Sequence, residues 1–227
     1  MEALLYNPVY NALCSKDAHL GAGTEKVKYF DEAVSPFAGF DENYERGFDD
    51  LYDLLPSGRK ILYATPKLIT KPKGWQLLHP IKGLQFLFTG KINWNRQDIE
   101  PMPLQYNHVE EMIQLAILTK PGPFGKRTID FGNYFGIFYR GRLVAMTGQR
   151  LHVGNFTEIS AVCTHPDYLG KGFATVLLQH QLDLILNAGQ TPFLHVREDN
   201  HRAIALYECT GFSVQRPMNF YFLKKEN

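Results

Sequence analysis

Residues 157–174 read Thr157-Glu-Ile-Ser-Ala-Val-Cys-Thr-His-Pro-Asp-Tyr-Leu-Gly-Lys-Gly-Phe-Ala174. Thr157 to Cys163 is a β-rich run and reads as a strand. Pro166 ends it, because the proline ring removes a ladder donor. Gly170 and Gly172 space a turn, and a helix is expected over Lys171 to Asn187. There Phe173, Val176, Leu177, Leu178, Leu182 and Ile185 supply a buried face, and Gly189 supplies the stop. A strand, a glycine turn and a helix in direct succession present amides without intrahelical partners at the positive end of a helix dipole. Neither glycine has a Cβ to hold a ligand away. The arrangement suits an anion such as a diphosphate. The same pattern also closes plain tight turns. It lacks the third glycine of a dinucleotide fingerprint and the Gly-Lys-Ser/Thr ending of a triphosphate loop.

Downstream, Pro192 to Val196 reads as a strand. Asn200 is placed to cap a helix running to about Cys209 and closed by Gly211. Phe212 to Gln215 and Phe220 to Leu223 read as a terminal pair of strands. Upstream, His108 to Leu118 carries Val109, Met112, Ile113, Leu115, Ala116 and Leu118 at mostly helical spacing. The segment Thr119-Lys-Pro-Gly-Pro-Phe124 cannot continue that helix and is expected to be an ordered loop. Tyr134 to Tyr139 and Arg142 to Gln149 are β-rich runs about an Arg140-Gly141 turn. The order is not a doubly wound alternation. It predicts an α+β fold with two crossover helices.

The words EISAVCTHPDYLGKGFA (158–174) and FLHVREDNHRAIALYECTGF (193–212) together resemble the GCN5-related N-acetyltransferase (GNAT) superfamily, in its FR47-like, glycine-acyltransferase-like branch. The resemblance extends over about residues 104 to 224. The loop from Thr119 to Phe124 with Arg127 and Thr128 fits it, and so, less closely, do Asn7-Pro8-x-x-Asn11-Ala12-Leu13 and Pro36-Phe37-Ala38. It implies a mixed, mostly antiparallel sheet flanked by helices, with splayed central strands and a smaller N-terminal α/β unit. It also implies an acyl-coenzyme A co-substrate, acetyl-CoA being expected, and direct transfer of the acyl group to a primary amine. A larger acyl group passed to an amino acid, or acyl-CoA binding without turnover, are the alternatives.

The resemblance also implies roles for particular residues. The superfamily's phosphate motif, Gln/Arg-x-x-Gly-x-Gly/Ala, falls on Leu169, Gly172 and Ala174. Leu169 departs from it, which removes one side-chain contact and leaves the amide cradle of Gly170, Lys171, Gly172, Phe173 and Ala174. The pantetheine arm is expected along Ala161, Val162, Cys163 and Thr164, as an added β-strand would lie. The strand at Phe193 must diverge there to admit it. Asn200 and Ala203 are expected near the cofactor, Asn200 also as a plain helix cap. Tyr207 stands where the superfamily places the acid that protonates the departing thiolate; a phenol keeps its proton at neutral pH and can donate it. Glu158, 14 residues before Gly172, matches a position used as the base. Cys163 reads as a core residue rather than a nucleophile, and His195 as a hydrogen-bonded structural residue. The histidines show no metal-ligand spacing, so no metal is expected.

The first 97 residues are expected to form an accessory unit on the acceptor side, with the catalytic domain over residues 98–227 and a linker near Asn93 to Pro103. Within that first unit, helix is expected over Phe48 to Leu55 and strand over Lys60 to Ala64 and about Gly83 to Phe88. Residues 1–53 hold 11 acidic and 4 basic groups, and residues 54–97 hold 8 basic and no acidic ones. Either the halves neutralise each other, or the basic stretch with Trp75, Phe86, Phe88 and Trp94 faces an anionic ligand. With a formal charge of +1 over 227 residues, no global field recruits nucleic acid or an anionic membrane. No run approaches a membrane span. The three cysteines are scattered and form no CxxC pair. A cytoplasmic location is therefore the expectation, with an amine as partner and the oligomeric state unspecified.

Overall fold

The computed structural model describes residues 2–90 and 99–226. In chain order it holds α1 (Pro8–Leu13), β1 (Gly21–Gly23), β2 (Val27–Phe30), β3 (Phe37–Phe40), α2 (Gly47–Leu54), β4 (Lys60–Thr65) and β5 (Trp75–Phe88). Then come β6 (Met102–Pro103), α3 (Val109–Thr119), β7 (Phe135–Tyr139), β8 (Arg142–Val153), β9 (Phe156–Thr164), α4 (Phe173–Asn187), β10 (Thr191–Arg197), α5 (His201–Cys209) and β11 (Phe212–Lys225). Trp94, part of the expected linker and the 97/98 boundary lie outside the described residues.

The strands form one sheet in the order β1-β2-β3-β4-β11-β5-β10-β9-β8-β7-β6. It is mixed and mostly antiparallel, the parallel pairs being β3–β4 and β9–β10. This is the α+β arrangement expected. Strand β5, from the segment assigned to the accessory unit, lies inside the sheet between β10 and β11. The expected terminal pair of strands is instead one strand, β11, which runs beside β5 from Phe212↔Phe88 to Lys225↔Trp75. A register shift between Val214 and Arg216 lets Pro217 sit beside a bulge, where its missing donor is tolerated.

Local chemistry sets the element ends. Arg140 and Gly141 take positive φ (49° and 76°), as a tight hairpin turn with the right twist requires. Helix α3 ends at Lys120 in the left-handed region, just before Pro121. Asn200 Oδ1 accepts from the Ala203 amide at 3.2 Å and opens α5.

Side-chain alternation divides the sheet into two faces. One carries α2, α4 and α5. Against it Phe86, Leu194, Ile159, Leu178, Leu182 and Ile185 form one cluster, and Tyr63, Tyr221, Leu223, Trp75 and Leu51 another. Each such buried side chain contributes about 1.5–3 kcal/mol. The other face carries α1 and α3, over Phe37, Leu62, Phe193 and Phe220. Trp75, Phe86 and Phe88 are buried in these clusters, so they pack the core and do not face an anionic ligand, as the second reading of the basic stretch required. Among the described residues the neutralising reading has one clear contact, Arg59 to Glu32 at 3.6 Å.

Candidate active site

The parallel ladder between β9 and β10 holds at Thr191↔Phe156, Pro192↔Thr157 and Phe193↔Glu158, and goes no further. Beyond Phe193, β10 continues on β5 alone, to Arg197↔Gly83. Beyond Glu158, β9 continues on β8 alone, to Ala145↔Thr164. The two strands diverge where divergence was expected. On the way, β9 takes an extra residue between Met146↔Cys163 and Gly148↔Ser160, with Ala161 at φ 53°. A non-glycine residue in that region marks a bulge that re-aims the neighbouring amides.

A cavity of about 980 Å³ occupies the split. It is lined on one side by Ser160, Ala161, Val162, Cys163 and Thr164, and on the other by Val196, Asn200, Ala203 and Tyr207. Thr164 Oγ1 is buried and has no hydrogen-bond partner. A pantetheine arm fits these features: an edge of β9 that β10 leaves unpaired, an orphaned hydroxyl, and a slot between strands.

The glycine turn stands at one end of this cavity. Gly170 and Gly172 both take φ 78°, and Gly172 is the N-cap of α4 with no side-chain cap bond. The first bond of the helix runs from Val176 N to Gly172 O at 3.1 Å, so the amides of the first turn precede the ladder. Leu169, Gly170, Gly172, Phe173, Ala174 and Thr175 all line the cavity. Lys171 differs: its ammonium lies over the rings of Tyr168 (5.0 Å) and Tyr139 (5.5 Å). Asn200 is both a cap and a lining residue.

Tyr207 projects from α5 between Phe86 and Phe212, each ring 6.1 Å away. Burial, and then the Cys163 thiol nearby, push its phenol well above the ordinary value. Cys163 itself is pushed up to about 11, by burial against the relief of a bond from Thr119. It is a thiol at neutral pH, which removes the activation a nucleophilic cysteine needs.

Glu158 is placed otherwise than a free base would be. Its side chain is fully buried, and its carboxylate accepts from Arg150 Nε at 2.8 Å, Arg150 Nη2 at 2.6 Å and His195 Nδ1 at 2.7 Å. Burial alone would raise its pKa. The Arg150 pair, then His195, override this and hold it well below the usual carboxylate range. The group expected to take a proton is thus saturated with donors. His195 carries the network onward, its Nε2 meeting Gln85 Nε2 at 3.0 Å, and Gln85 Nε2 donates to Leu5 O at 2.9 Å. Arg150, Glu158, His195 and Gln85 make one polar row across β8, β9, β10 and β5 on the α3 face. His195 has the structural role expected, with both ring nitrogens engaged.

Sequence reasoning missed Arg150 and the far arm of the cavity. That arm is lined by Phe37, Leu62, Ile81, Phe220 and Phe222, with the loop residues Thr119 to Phe124 over them. Arg127 turns away instead and pairs with Asp31 and Asp130. The signal for Arg150 was present: it and Glu158 lie nearly symmetrically about the Gly154 turn, where a hairpin sets opposite charges face to face. Among the described residues no cluster of three or more His, Cys, Asp or Glu side chains is placed to hold a metal. No helix among them is long and apolar enough to cross a membrane.

Comparison with known proteins agrees with this geometry. The profile of the FR47-like protein family matches residues 134–221. A GNAT-family protein of known structure from Novosphingobium aromaticivorans is 31% identical, with a TM-score of 0.90 over 99% of each chain. A GCN5-related N-acetyltransferase from Kribbella flavida shares the fold at 12% identity, with a TM-score of 0.67 over 98% of this chain and 96% of that one. The [ribosomal protein bS18]-alanine N-acetyltransferase of Escherichia coli is 32% identical over 80 residues, 35% of this chain and 53% of that one. The aligned stretch thus spans about half the length of that curated relative.

Proposed function

The chain belongs to the GNAT family, and from that premise we propose that it is an acyl-CoA-dependent N-acyltransferase that moves an acetyl group to a primary amine. The observation that carries this reading is the split between β9 and β10, with the αL glycine turn at one end and a second, differently lined arm at the other. One arm suits a long anionic thioester and the other an acceptor, and both meet beside Cys163 and Tyr207.

In this reading the glycine-turn amides hold the diphosphate and the open edge of β9 takes the pantetheine arm. The bulged amides near Ala161 face the thioester oxygen, where charge develops as the amine attacks. The new C–N bond forms as the C–S bond breaks. Tyr207 protonates the departing thiolate. Glu158 acts as a positioning residue, fixing Arg150 and His195, and takes no proton. The titratable side chains lining the junction are Cys163, His195 and Tyr207, none of them free as a base, so the amine's proton leaves to solvent. Residues 1–97 supply much of the acceptor arm through Phe37, Leu62 and Ile81, in keeping with an acceptor-side role for that segment.

Calorimetry with acetyl-CoA, followed by assay of thiol release across an amine library, tests the reading. Binding with thiol release dependent on an amine is expected. Absence of acetyl-CoA binding refutes it, and binding without turnover on any amine returns the chain to a binding module.

A further inference from the structure

The acceptor arm is an apolar floor built by four neighbouring strands. Register places Phe37, Leu62, Phe222 and His79 in one row across β3, β4, β11 and β5. Ala64, Phe220 and Ile81 form the next row. The Phe37 and Phe220 rings lie 6.5 Å apart, and Phe220 is 5.4 Å from His195. Ile81, Phe124 and Phe222 pack on the same cluster while keeping partial exposure to the cavity.

The charges of the cavity are one-sided. Its lining, among the described residues, includes Lys120, Arg150, Arg197 and Arg202, and no Asp or Glu. Glu158, on the neighbouring strand β9, is already committed to Arg150 and His195. The Arg150 guanidinium also lies over the Phe37 ring at 4.9 Å. An acceptor with a second ammonium group would bring it into an apolar arm whose described lining holds no carboxylate, beside the Arg150 guanidinium over Phe37, which is costly. A flat apolar body would instead displace water from aromatic walls and gain by its area.

Resting on the N-acyltransferase reading, we infer that the acceptor is a small monoamine with an aromatic or branched apolar body, and that the arm, with no carboxylate among its described lining residues, excludes polyamines and lysine-like diamines. The reacting nitrogen sits at the Cys163 and Tyr207 end of the arm, and the apolar body lies back over the Phe37–Leu62–Phe222 row.

The test compares kcat/KM for 2-phenylethylamine, spermidine, lysine methyl ester, glycine and an alanine-initiated hexapeptide, with acetyl-CoA binding measured separately by calorimetry. The inference expects 2-phenylethylamine to exceed each of the others by about 100-fold or more. Ile81→Glu, which places a carboxylate on the partly exposed floor, is expected to narrow the gap to spermidine by about 10-fold or more. Its acetyl-CoA affinity reports whether it has folded. Equal or better turnover of spermidine, lysine ester, glycine or the peptide by the unaltered enzyme overturns the inference and leaves the N-acyltransferase reading standing. Binding of acetyl-CoA with no amine turned over also overturns it. Failure to bind acetyl-CoA overturns the underlying reading, and the inference with it.

Discussion

Glu158→Gln isolates what the buried carboxylate does. The wild-type group accepts three charge-assisted bonds, two from Arg150 and one from His195, at 2.6–2.8 Å. Glutamine with its oxygen at the Oε1 site keeps the bonds from Arg150 Nη2 and His195 Nδ1 but turns an amide donor toward Arg150 Nε, so one bond is lost, at about 1.5–3 kcal/mol, and the two that remain lose their anionic acceptor. Arg150, with a side chain only 12% exposed, is left as a charge without its counter-ion. Removing the charge of one partner of a buried pair costs about 3–5 kcal/mol in all, the lost bond and the uncompensated Arg150 charge together. In urea melts, with a slope of about 3 kcal/mol/M, the midpoint should fall by about 1–1.7 M. The pH dependence has a definite sign. A carboxylate held low in the folded state stabilises above the ordinary glutamate value of about 4.3 and loses that contribution as pH falls toward its folded value. The gap between wild type and Glu158→Gln should therefore be full at pH 7 and narrow below about pH 4. Arg150→Met combined with Glu158→Gln should cost clearly less than the two single changes added together, because the uncompensated charge is gone. A single variant within about 1 kcal/mol of wild type, or an additive double variant, would refute the reasoning.

Three further outcomes follow from the site. Tyr207→Phe should lower kcat by about 100-fold or more with little change in acetyl-CoA affinity, read by steady-state kinetics beside calorimetry; an unchanged kcat removes the acid role. With a good acceptor, kcat/KM should rise with pH in step with the acceptor's own free-amine fraction, and an inflection that stays fixed when amines of different basicity are compared would point to an enzyme base instead. Gly172→Ala forces a Cβ into the left-handed region at φ 78°, so stability should fall by about 1–2 kcal/mol and the KM for acetyl-CoA should rise. Unchanged values of both would detach the turn from cofactor binding.

Much of the catalytic half was legible in the chain. Local signals carried it: Pro166, the paired glycines, the Asn200 cap and the helical spacing over Phe173 to Ile185 each depend on residues close in sequence. What stayed hidden was non-local. No periodicity tells that Trp75–Phe88 slots between two strands more than a hundred residues downstream, or that Phe37 and Leu62 line up with Phe222. Glu158 was read by its position in a motif, and only the fold brings Arg150 and His195 onto its carboxylate. Arg150 lies within reach of a local reading, since the β8–β9 hairpin nearly fixes its partner. His195 does not, because its bond to Glu158 crosses a parallel pair that no short turn connects.

The interior position of β5 has a consequence for how the chain comes to be folded. Its backbone partners, Phe193 to Arg197 and Phe212 to Lys225, are synthesised long after it. Until they arrive, a 14-residue strand waits with both edges open. Such long-range pairing is slow and leaves adhesive surface exposed in the interval. Expression of this protein should thus depend on chaperone supply and growth temperature more than its native stability would suggest, and fragments cut between the halves should be recovered as aggregates rather than as autonomous units.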